Sequence, residues 1–101
     1  MPEYSFVKLF RSPNPEKKWR VRLADHEGKF HHVDFGAKGY EDFTKHKDEK
    51  RKRLYLMRHA GMGEDWKKSG VLTAGFWSRW LLWNLPTIEG SLRDIRKRFD
   101  L

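Results

Sequence analysis

The chain has no cysteine. That excludes disulfides, thiolate zinc sites, iron–sulfur clusters and a cysteine nucleophile. Long apolar runs are also missing, and none approaches the roughly 20 residues a membrane-spanning helix needs. The opening MPEYSFVKLFRS lacks the cationic, apolar and small-residue pattern of an export signal. The expectation is a soluble protein that is not secreted and has no membrane span. Acidic residues are in the minority, with 14 Asp and Glu against 22 Lys and Arg, a formal net charge of +8 and a pI near 9.9. Such a balance calls for an anionic partner: nucleic acid, an acidic protein face or a membrane surface.

What the chain does have is aromatic residues, 15% of its 101 positions. Each large ring can remove on the order of 150–250 Å² from water, so core packing is the first duty of most of them. A second core would leave each half too small to sustain itself. Residues 1–101 are therefore expected to form a single domain.

The first third reads as strands, from about residue 4 to 36. In KWRVRLA, Trp19, Val21 and Leu23 alternate with Lys18, Arg20 and Arg22, the period-two pattern of a half-buried strand. His31, Val33 and Phe35 alternate in the same way with His32 and Asp34. Between them, His26-Glu27-Gly28 suits a three-residue hairpin loop with Gly28 in the left-handed region. That register sets Val21 against Val33, Trp19 against Phe35 and Arg20 against Asp34. YSFVKLFR supplies a further strand across the breaker-rich SPNPEK, giving a three-stranded antiparallel meander.

The period then lengthens. From Asp42 or Thr44 to about Ala60 the chain is rich in helix formers and stops at Gly61 and Gly63. A helix over 42–60 is expected, with a thin apolar stripe of Phe43, Leu54 and Met57. A second helix, 74–84, ends before Pro86. A third, 87–99, places Ile88, Leu92, Ile95 and Phe99 on one face. The fold class is α+β: the meander packed with about three helices.

Three of the five tryptophans fall in TAGFWSRWLLWN. At about 100° per residue, Phe76, Trp77, Trp80, Leu81 and Trp83 share one broad arc, with Trp80 near its middle. Core packing is the expected role for this cluster. Ser78, Arg79 and Leu82 fall on the opposite side, so Arg79 and Leu82 are the candidates for a protein contact.

Residues 45–58 carry seven Lys or Arg and two acids. Lys45, Lys47, Lys50, Arg51, Lys52, Arg53 and Arg58 are accordingly candidates for contact with an anionic partner. Arg93, Arg96, Lys97 and Arg98 form a second cluster on the last helix. A solvated, charge-paired surface is the alternative for both. Metal binding is not expected: His31 and His32 point to opposite faces of a strand, and His46 and His59 would lie about 20 Å apart on one helix. No nucleophile, phosphate loop or second carboxylate accompanies His46 and Asp48, so neither a catalytic residue nor a cofactor is expected.

The blocks FGAKGY, HKD and TAGFWSRWLLW, in that order within about residues 33–99, resemble a family of small uncharacterised proteins encoded by large eukaryotic (nucleocytoplasmic) DNA viruses, a domain of unknown function. The resemblance brings no catalytic residues. It implies a viral setting, in the virion or the interior of an infected cell. Small size and cation-rich helices then suggest a non-enzymatic structural protein, a minor capsid-associated component bridging other virion proteins. The alternative is a nucleic-acid-binding module that contacts DNA or RNA through its basic helices. Cations converging on one concave face would favour nucleic acid; scattered cations with an exposed apolar patch around Leu82 would favour protein assembly.

Overall fold

The computed structural model describes residues 3–101. Strands β1 (Ser5–Arg11), β2 (Lys17–Ala24) and β3 (Phe30–Ala37) form an antiparallel sheet in the order β1-β2-β3. Alternation sets the register: Trp19 lies opposite Phe35, Val21 opposite Val33 and Arg20 opposite Asp34. The Arg20 guanidinium donates two hydrogen bonds to the Asp34 carboxylate, at 2.7 and 2.8 Å. Those bonds hold the Asp34 carboxyl below its usual range. In the β2–β3 hairpin the Asp25 amide donates to the Lys29 carbonyl, which leaves the three-residue loop His26-Glu27-Gly28. Gly28 sits at φ 83°, where a side chain would be strained.

The expected helix over 42–60 is two helices. Phe43–His46 forms α1 and Glu49–Ala60 forms α2, with Lys47 between them at φ 55°. Asp48 explains the break. Its carboxylate accepts hydrogen bonds from the amides of Lys50 and Arg51, satisfying donors that a helix start leaves open. Its own amide donates to His46 Nδ1 at 2.9 Å. Phe43, 2% exposed, anchors α1, whereas α2 buries no residue fully. Four helices thus follow the sheet.

The tryptophan-bearing helix departs from its expected phase. Helix α3 (Ala74–Trp77) is capped by Thr73 and runs on as a π-helical segment, Ser78–Leu82, closed by the Trp83 amide donating to the Ser78 carbonyl. The wider turn carries one residue more than an α-helical turn, and every later side chain is rotated. Leu82, expected at the surface, is 2% exposed and lies under Gly36. Gly36 has φ 80°, and a Cβ on it would come within 2.9 Å of Leu82. Trp77 is the central tryptophan: it is 0% exposed, and its indole donates to the Val71 carbonyl at 2.8 Å. Trp80, expected at the centre, is only half-buried.

Helix α4 (Ile88–Phe99) is capped by Thr87. It buries Ile95 and packs Ile88, Leu92 and Phe99 against the core, as its amphipathic spacing predicts. The core joins the inner sheet face (Val21, Leu23, Val33, Phe35) to Phe76, Trp77, Leu81 and Leu82. The other sheet face is turned to solvent, and α2 lies outside the core, laid against the end of the central helix.

Candidate functional site

The cations expected to meet a partner have divergent placements. On α2, Lys52 is turned inward: its ammonium donates to the Asn84 carbonyl at 2.6 Å and lies 4.8 Å from the Phe43 ring centre. Arg51 is 3.6 Å from the Glu41 carboxylate, and Lys47 reaches back to the Thr44 carbonyl. Lys45, Lys50, Arg53 and Arg58 are exposed. On α4, Arg93, Arg96 and Lys97 line a shallow groove with Leu92 and Leu101. Arg96 also lies over Phe6, and Arg98 pairs with Asp94 and covers Trp80. The two basic helices therefore serve separate surfaces.

Arg79 and Leu82, expected to form a protein contact, are both turned inward. The Arg79 guanidinium lies between the Trp66 and Trp80 rings, 5.7 and 4.2 Å from their centres, and donates to the Trp83 carbonyl at 2.9 Å. Burial, and then the neighbouring Arg98 charge, push its pKa down. Two rings and a carbonyl satisfy this cation within the fold.

What the structure does assemble is a cleft of about 530 Å³ between α2, the Tyr40–Asp42 loop and the ends of β2 and β3. Of the expected residues it collects Arg51, Arg58 and Leu82. One wall is a column of rings. Tyr55 stacks on Trp83 at 4.3 Å with the planes 4° apart, His59 stacks on Tyr55 at 4.1 Å, and His46 lies 5.3 Å beyond Trp83. Burial raises the Tyr55 pKa, and the nearby Glu64 charge adds to the effect. The phenol thus stays protonated. Glu64 stands 3.3 Å from His59 Nδ1 and accepts the Trp66 indole N–H at 3.1 Å. Gly75 makes room for that carboxylate, since a Cβ there would lie 2.8 Å from it. Lys18 is bound to Asp42 at 2.8 Å and to the Tyr40 carbonyl.

At the mouth, therefore, Lys18 and Arg51 face carboxylates, while Arg58 has no ion pair among the described residues. A guanidinium without an ion pair beside apolar side chains is chemically suited to an acidic group. Sequence reasoning missed Tyr55, Glu64, Trp66 and Trp83 as members of this network. The i,i+4 spacing of Tyr55 and His59 was the available signal. Among the described residues no group of three or more His, Asp or Glu is placed to hold a metal ion. None of the helices there is long and apolar enough to cross a membrane.

The model of a family of unknown function (DUF5754) matches residues 7–59, more than half of the chain, and the chain belongs to that family. The matched region spans nearly all of the sheet, α1 and nearly all of α2, and so contains most of the cleft. No curated protein and no solved structure shows significant similarity to the chain.

Proposed function

We propose that this member of a family of unknown function is a non-enzymatic structural protein that docks an acidic face of a larger protein through α2 and the adjoining cleft. Its proposed setting is the virion of a large DNA virus, as a minor capsid-associated component; the support for that setting is the sequence resemblance alone. One observation carries the docking role. Leu54 and Met57, one turn apart on α2, are 47% and 68% exposed, Met62 just beyond the helix is 65% exposed, and Leu54 lines the cleft together with a Tyr40 that is 75% exposed. An apolar patch of this kind is a mark of an interaction site. Its cationic border of Lys50, Arg53 and Arg58 suits an acidic partner.

Cross-linking mass spectrometry on purified particles tests the reading. Cross-links from Lys45 and Lys50 to another particle protein are expected. Absence of the chain from mature particles overturns it. Nucleic-acid binding through the basic helices has less support, because the α2 and α4 cations line different surfaces.

A further inference from the structure

The solvent face of the sheet is unlike the rest of the surface. On β2, Val21 and Leu23 point into the core, so Arg20 and Arg22 point out, where Arg22 is paired with Lys8 on one side and His32 on the other. The Arg22 guanidinium lies 5.3 Å from the Phe10 ring centre and 5.1 Å from that of Phe30. It also donates to His32 Nε2 at 3.0 Å. Phe30 is 56% exposed, and His32 is exposed beside Phe10. Three rings thus surround one oriented guanidinium.

Among the described residues neither Lys8 nor Arg22 has an ion pair; the Phe10 ring lies 5.5 Å from the Lys8 ammonium, and Arg22 is held by rings and His32 alone. Lys8 and Arg22 are like charges directly across two strands, an arrangement that destabilises a sheet. The carboxylate on this face, Asp34, is engaged by Arg20 and Ser12. At the hairpin, Asp25 is held by His31 and two loop amides, and Glu27 lies beside His26. An anion arriving from outside would relieve the Lys8–Arg22 repulsion, and flat rings beside it would take flat partners.

We propose that this face binds single-stranded nucleic acid, with unpaired bases stacking on Phe30, Phe10 and His32 and phosphates meeting Arg22 and Lys8. Stacking on exposed rings is open to any base but needs bases that are not paired. A duplex hides them. Phosphate contact makes the affinity fall as salt rises.

Fluorescence anisotropy of the full chain with labelled oligothymidylate and oligouridylate of about ten nucleotides, and with a duplex of equal length, tests the proposal. Both single strands bind more tightly than the duplex at low salt, and their ratio reports whether the sugar is read. Phe30→Ala weakens single-strand binding about tenfold, and Arg22→Gln weakens it and flattens the salt response. Melting curves confirm that both variants are folded. The Lys50→Gln, Arg53→Gln double variant binds like the parent chain, which separates this face from the α2 docking surface. Equal affinity for duplex and single strand, no binding at low salt, or a Phe30→Ala protein that binds unchanged overturns the proposal.

Discussion

Trp77 and Trp80 are three residues apart in one helical stretch, yet they stabilise different things. Trp77 is sealed between Phe35 and Phe76 with its indole N–H satisfied, so removing it leaves a cavity and an unpaired carbonyl. Trp77→Ala is expected to cost roughly 3–5 kcal/mol, a large share of what a small domain possesses. Trp80 packs edge-on against Phe99 under the guanidiniums of Arg79 and Arg98. Water reaches part of the ring, and Trp80→Ala should cost clearly less. Thermal melts of the two variants check the order; equal losses would contradict the burial assigned to each.

Asp25 gives a pH-dependent counterpart. The hydrogen bond with His31, joined by the amides of Lys29 and Glu27, lowers its pKa from 3.8 to about 2. A carboxyl whose folded pKa is depressed contributes stability above its unfolded pKa and loses it as the pH falls through the folded one. The contribution of Asp25 is thus complete above about pH 4 and fades towards pH 2. Asp25→Asn should melt below the parent chain at pH 6, and the gap should narrow as acid is added. A gap that stayed constant to pH 2 would show that the charge is not what matters.

Among the elements, the break at Lys47 and Asp48 has an opposite-sign test. In one continuous helix over 42–60, Asp48→Ala would stabilise, because alanine is the better interior residue. With Asp48 as the cap of α2, the same change should destabilise by about 1 kcal/mol. Denaturant unfolding gives the sign directly. The sheet, the hairpin loop and α4 were legible from sequence because their signals are local: alternation, a glycine at the turn, a threonine cap and a four-three-four spacing. HKD was not. Its three residues are compatible with a helix interior, and the seat of His46 against Phe43 and Trp83 accompanies the use of Asp48 as a cap. The π-helical segment was hidden for a related reason, since a widened turn is chosen by what it packs against.

At the scale of the whole molecule, α2 stands outside the core and presents apolar side chains to solvent. A Leu54→Ser, Met57→Gln double variant should therefore keep its stability within about 0.5 kcal/mol while losing the docking partner. A melt that fell by several degrees would show that these residues hold the fold together. Of the cleft, the sequence yielded Arg51 and Arg58 as cations and nothing of the ring column that makes a wall behind them. Tyr55 and His59 are neighbours on α2, and Trp83 joins them only when α2 lies down against the end of the central helix.

Taken alone, the sequence determined the α+β class, the β2–β3 register, the start and face of α4 and the excess of positive charge. Each depends on neighbours within a turn or a strand pair, or on simple addition of charges. Tertiary structure decided which tryptophan is central, that Leu82 and Arg79 are enclosed, and that the basic helices serve separate surfaces. It also set an oriented guanidinium among rings on the open face of the sheet. Those outcomes depend on contacts between residues far apart in the chain, where one extra residue in a helical turn changes which side chain meets water.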